Sequence, residues 1–75
     1  MFLVDMKLGQ SGKVVDILGG HVVLTRLDSL GVRVGQKITK TGSTLMRGPV
    51  VIQIGTAKVA IGFGMARKVI VELDE

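Results

Sequence analysis

The chain has no cysteine, no tryptophan and no tyrosine among its 75 residues, and only one proline, one histidine and two phenylalanines. Without cysteine, neither a disulfide nor a thiolate metal site can hold the fold, and the absence fits a reducing cytoplasm. Without large aromatics the core must be aliphatic. A nucleic-acid surface built on stacked aromatic rings has little material, because such barrels pair basic residues with aromatic platforms. Proline-rich peptide grooves are aromatic-lined and lose weight for the same reason. No apolar run approaches the roughly 20 residues that cross a bilayer. The N-terminal MFLVDMKLGQ lacks a basic segment ahead of an apolar one, so a secretory signal is not expected and a cytoplasmic location is.

Negative charge is also missing over a long interval. Between Asp28 and Glu72 there is no acidic residue, while Arg33, Lys37, Lys40, Arg47, Lys58, Arg67 and Lys68 all fall there. The net charge is +4. Such a distribution favours an acidic partner if the cations share a face. Solvated strand faces and blunted sheet edges account for the same residues more simply.

What the chain has in quantity is aliphatic side chains and glycine. Forty-seven per cent of its residues are apolar and eleven are glycine. A chain of this length makes one domain, residues 1–75, with many tight turns. Only one segment has a clear helical period. Val23, Leu24, Leu27 and Leu30 fall on one face of a helix of about two turns, and Gly31 stands where a left-handed residue would end it.

The remainder alternates in the manner of strands. Residues 1–6 read as a short strand, followed by a turn through Gly9 and Gly12. Lys13 to Leu18 is the next strand, with Val15 and Ile17 on one face and Val14 opposite. Lys37 to Thr41 follows the helix. Gly42 to Gly48 has no period. Pro49 opens a strand from Val50 to Ile54, since its missing N–H can lie outside the ladder. Gly55-Thr56 turns a hairpin into Lys58 to Ile61. Gly62 to Arg67 reads as a single helical turn, and Val69 to Leu73 as the last strand. Five to six short strands with one short α-helix would expose costly edges if left open. The expected fold is therefore all-β, a small, partly open β-barrel.

No catalytic constellation is present. Ser11, Ser29 and Ser43 are available as nucleophiles, but the single histidine, His21, follows a glycine pair and reads as a surface loop residue, so no enzymatic role is expected. His21 is also the only nitrogen ligand for a metal, with Asp16 or Asp28 as distant company. No cofactor is required on this reading, and any ferrous iron or zinc would be weakly held or shared between chains. Gly62 and Gly64 lack the lysine and helix context of a phosphate loop. An apolar, basic loop at Leu45-Met46-Arg47 remains. It suits adaptable protein contacts, or Leu45 folds back over a barrel end.

Taken in order, Leu8-Gly9-Gln10, Arg26-Leu27, Leu30-Gly31-Val32-Arg33-Val34-Gly35, Gly48-Pro49-Val50-Val51-Ile52, Val59-Ala60-Ile61-Gly62 and Val69-Ile70-Val71 resemble the ferrous iron transport protein A (FeoA) family over nearly the whole chain. The resemblance implies an SH3-like barrel. It implies a cytoplasmic accessory protein of bacterial ferrous iron uptake, whose partner is the cytoplasmic GTP-binding domain of the FeoB transporter. Contact with the membrane would then be only through that transporter. It also carries an association with transition metal binding. Partner contact is expected through Leu45, Met46 and Arg47, assisted by Arg33, Lys37 and Lys40, with self-association as a further option. Where many members carry a charged residue after the strand ending at Ile61, this chain has Gly62-Phe63-Gly64-Met65, which would widen an apolar contact surface. Two alternatives stand beside this reading. One is a small basic nucleic-acid-binding barrel. The other is a metal-sensing module related to the C-terminal domain of iron-dependent repressors.

Overall fold

The computed structural model describes residues 1–43 and 47–74. Among them, β1 (Ser11–Ile17), β2 (Lys37–Ser43), β3 (Val50–Ile54), β4 (Ala57–Ile61) and β5 (Val69–Leu73) form one antiparallel sheet in the order β4-β3-β2-β1-β5. The sheet curls but does not close, because β4 and β5 share no ladder. This is the expected partly open barrel, with five strands.

Two irregularities supply the curvature. The register of β1 against β5 shifts between Val14 and Asp16, and that of β2 against β3 shifts between Lys40 and Gly42. An extra residue on one strand bends it and reverses the side-chain alternation beyond it. Gly12 and Val14 are buried before the shift and Ile17 is half-buried after it, while Val15 is exposed, so Val15 and Ile17 do not share the face that simple alternation gives them.

The core is aliphatic, as the composition demands. Leu3, Val14, Leu27, Val32, Ile38, Ile52, Ile61, Val69 and Val71 are fully enclosed, with Met6, Val50 and Ala66 beside them. Both phenylalanines lie outside it. Gly12 permits close packing of β1 on β5: a Cβ there would stand 2.5 Å from the Glu72 carbonyl oxygen and 2.5 Å from Val71 Cγ1.

Helix α1 (Gly20–Ser29) starts earlier than the apolar period suggests. It ends as expected. Gly31 adopts φ 87°, its N–H donates to the Asp28 carbonyl, and the Val32 N–H donates to the Leu27 carbonyl. This double bond pattern caps the orphan carbonyls, and the enclosed pair Leu27 and Val32 packs beneath it. The buried face is narrower than expected. Leu27 is enclosed and Val23 half-buried, but Leu24 and Leu30 are 44% and 38% exposed. The helix touches the barrel along one line of residues, so apolar positions to either side of that line meet solvent. A short helix, α2 (Phe63–Ala66), joins β4 to β5 where the helical turn was expected.

Residues 1–6 differ most from their sequence reading. They form not a strand but a 3-10 turn over Leu3–Asp5, which buries Leu3 and Met6 at the i, i+3 spacing of that helix. Met1 bonds the outer edge of β5: the Val71 N–H donates to the Met1 carbonyl at 2.7 Å, and the Met1 amine donates to the Val71 carbonyl at 3.1 Å.

Candidate functional site

The residues expected to meet a partner fall into distinct environments. Leu45 and Met46 lie outside the described residues. Arg47, directly after them, has a left-handed backbone (φ 62°) and is exposed. Its guanidinium lies 5.9 Å from the centre of the Phe63 ring, a cation–π distance. The register brings them together, since Val50 pairs with Ile61 and so sets residues 47–49 beside the start of α2.

Arg33 and Lys37 are exposed, and each has an acidic neighbour. Arg33 Nε donates to Asp28 Oδ1 at 2.6 Å, and Lys37 Nζ lies 2.9 Å from Asp74 Oδ2. Lys13 stands directly opposite Lys37 across the β1–β2 ladder and opposite Glu72 across β1–β5. Lys13, Lys37, Glu72 and Asp74 line an open groove together with Leu73. A second open groove, lined by Gln36, Lys37, Thr39, Gln53 and Gly55, shares Lys37 with it. Both are open to solvent, unlike the enclosed cavities that hold small ligands.

Lys40 is not a surface residue, and its assignment to partner contact is corrected. It is 4% exposed. Its ammonium donates to the Met6 carbonyl at 2.7 Å and the Val4 carbonyl at 3.1 Å, with the Leu3 carbonyl at 3.5 Å. Its backbone is fixed as well: the Gly9 N–H donates to its carbonyl, and its own N–H donates to the Gln10 carbonyl. Lys40 therefore pins the N-terminal turn onto the barrel. One sequence signal pointed inward. Lys40 is two residues from the buried Ile38 on β2, and alternate residues of a strand share a face.

His21 is exposed near the start of α1, with its Nε2 3.5 Å from Thr25 Oγ1. Among the described residues no three His, Cys, Asp or Glu side chains converge on one point. One exposed imidazole beside a hydroxyl does not fit a transition-metal site within a single chain. The Ser11 hydroxyl is bonded to Thr39 Oγ1, and the Ser29 hydroxyl donates to the Arg26 carbonyl. Among the described residues, exposed apolar side chains occur in and just before α1, at Leu18, Val22 and Leu24. No helix among the described residues is long and apolar enough to cross a membrane.

The FeoA domain family matches residues 1–73. The chain belongs to the FeoA family. A crystal structure of an iron uptake regulatory protein (FeoA) is 39% identical over 95% of this chain and 92% of its own, with a TM-score of 0.85. FeoA from Stenotrophomonas maltophilia, solved with zinc and described as a prokaryotic SH3 domain protein, is 24% identical over 96% of this chain and 89% of its own (TM-score 0.78). At that identity it establishes the SH3-like fold alone. A manganese-dependent transcriptional repressor in complex with manganese shares the fold at 20% identity and a TM-score of 0.88; the match covers 97% of this chain but 36% of the repressor. No curated protein matches. The FeoA chain described here thus has the barrel that the family resemblance implied.

Proposed function

We propose that this FeoA chain is a non-enzymatic accessory protein of bacterial ferrous iron uptake, working in the cytoplasm by binding the cytoplasmic GTP-binding domain of the FeoB transporter and modulating it. The observation that carries this reading is the family match along residues 1–73. The 39% identical relative, an iron uptake regulatory protein, supports it. So does the Stenotrophomonas maltophilia relative, which has been put forward as a ferrous iron transport activating factor.

The contact surface on this reading is the loop Leu45-Met46-Arg47 with the adjoining Phe63, assisted by Arg33 and Lys37. Arg47 over the Phe63 ring gives a cationic and aromatic pair, residue types that anchor protein interfaces. Arg33 and Lys37 keep exposed charge that an acidic surface can recruit away from Asp28 and Asp74, because solvent-exposed ion pairs are worth only about 0–1 kcal/mol.

The test is a pull-down of the purified chain against the soluble GTP-binding domain of the transporter at low and at physiological salt, with wild type and the double variant L45D/M46D. Binding by wild type that is lost in a variant with wild-type circular dichroism is expected. Retained binding by the folded variant removes the loop from the interface. Absence of wild-type binding at both salts rejects the GTP-binding domain as partner.

A further inference from the structure

The two outer edges of the sheet are treated differently. The edge of β5 is occupied by the chain's own N-terminus, through the paired bonds between Met1 and Val71 and the bridge from Phe2 to Ile70. Nothing among the described residues covers the edge of β4. Ile54 pairs with Ala57 across the two-residue turn, and the ladder runs in unbroken register to Val50 and Ile61. Alternation along an antiparallel ladder then turns the N–H and C=O groups of Ala57, Val59 and Ile61 toward β3, and those of Lys58 and Ala60 outward. Neither Lys58 nor Ala60 makes a backbone bond outside the ladder among the described residues. Both are exposed.

An uncovered edge is a template for another strand, and proteins usually blunt it with proline, a bulge or several charges. β4 has no proline and no bulge, and one lysine. The charge around it has a single sign. Lys58 stands on the strand, and Arg47 stacks over Phe63, two residues past the strand end. Neither joins a salt bridge among the described residues. No acidic residue occurs between Asp28 and Glu72. A second copy of β4 would bring its own lysine to the contact, and like charges across paired strands are destabilising. A strand with acidic side chains meets Lys58 and Arg47 with opposite charge.

We propose that the β4 edge, Ala57–Ile61, is a strand-addition site for an extended acidic segment of a partner protein, with the backbone of Lys58 and Ala60 forming the ladder and Lys58 and Arg47 selecting the charge. Main-chain bonds supply affinity in this mode, and side chains supply selectivity. The site shares Arg47 with the surface on which the transporter reading rests but takes its ladder bonds from β4, and K58E and A60P leave Leu45 and Met46 in place, so either can fail alone.

The test titrates the 15N-labelled protein with two blocked peptides, EVTVEVT and KVTVKVT, followed by amide shifts and hydrogen exchange. The acidic peptide is expected to shift the Lys58 and Ala60 amides and to slow their exchange about tenfold or more. K58E should weaken the acidic peptide about threefold to tenfold and admit the basic one. A60P removes an outward N–H at an edge position where proline is tolerated, and should weaken binding about tenfold while the Val14 and Val71 amides keep their protection. If A60P does not fold, K58E decides. Shifts confined to other strands, equal binding of both peptides, or unchanged affinity in K58E would overturn the proposal. Protection of Lys58 and Ala60 that grows with protein concentration alone would overturn it in favour of a second copy.

Discussion

Replacing Lys40 by methionine tests whether the buried ammonium holds the N-terminal turn. Methionine keeps most of the volume and removes the charge and all three donors. The Leu3 carbonyl loses little, since it already accepts the Met6 N–H at 3.1 Å and lies 3.5 Å from Nζ. The Val4 carbonyl is partly exposed and can take water. The Met6 carbonyl is buried and would lose its 2.7 Å partner. Orphaning one buried acceptor costs about 1–3 kcal/mol. Relief from burying an ammonium acts the other way, but the buried Met6 carbonyl left behind has no replacement donor. The net expectation is a loss of about 2 kcal/mol, against a total stability of roughly 4–11 kcal/mol for a domain of this length. Urea unfolding gives the total. At this size the melting temperature should fall by about 8–16 °C. Hydrogen exchange gives the location: the Val71 amide, bonded to the Met1 carbonyl, should lose protection ahead of Val14. A K40M protein as stable as wild type would show that desolvation outweighs the carbonyl bonds. A destabilised K40M with Val71 still protected would refute the pinning role.

Four other substitutions probe separate features. G12A should destabilise by about 2–3 kcal/mol by urea unfolding, because its Cβ would press on the Glu72 carbonyl and Val71 at 2.5 Å. G31A should cost about 1 kcal/mol in the same assay. Its φ of 87° strains any Cβ, while 3.8 Å to Ile54 Cδ1 leaves room, so the loss is conformational rather than steric. D28N removes the partner of Arg33 and should change stability by less than about 1 kcal/mol, since both side chains are more than half exposed. H21A should leave the calorimetric heats of zinc and ferrous iron unchanged, as no second ligand converges on His21 among the described residues. A specific heat lost in H21A would reverse that view.

The elements set by local chemistry were legible in the sequence. Pro49, the aliphatic run after it and the Gly55-Thr56 turn placed β3 and its hairpin, and Val69 to Leu73 placed β5. Gly31 marked the helix end. The misreadings in β1, in residues 1–6 and at Lys40 depend on partners distant in sequence. A bulge opposite β5 interrupts the alternation of β1, so Val15 and Ile17, expected on one face, are exposed and half-buried respectively. Residues 1–6 alternate like a strand, yet fold into a 3-10 turn because Lys40, from β2, collects their carbonyls. A lysine in a basic interval reads as surface charge until its strand face is compared with Ile38. The site was legible in fewer of its parts. Arg47 stands by Phe63, a pairing that depends on the β3–β4 register, whereas Leu45 and Met46 lie outside the described residues.

The acid-free interval invited the idea of one positive face, and the structure distributes those cations differently. Lys40 is internal, while Arg33 and Lys37 are matched by Asp28 and Asp74 from outside the interval or at its border. Both acids reach the cations through the fold: Asp28 from the helix end, Asp74 from beyond β5. Among the cations of that interval, those without an ion pair in the described residues therefore lie toward the β4–α2 end, at Arg47, Lys58, Arg67 and Lys68. This changes what salt dependence would mean. Screening weakens attraction only at charges not already satisfied within the chain. A partner that engages the Arg33 and Lys37 region exchanges one ion pair for another and should bind with little sensitivity to salt. A partner at the β4–α2 end neutralises free charge and should weaken markedly as salt rises. The salt slope of a partner therefore separates contact through Arg33 and Lys37 from contact through Arg47 and Lys58.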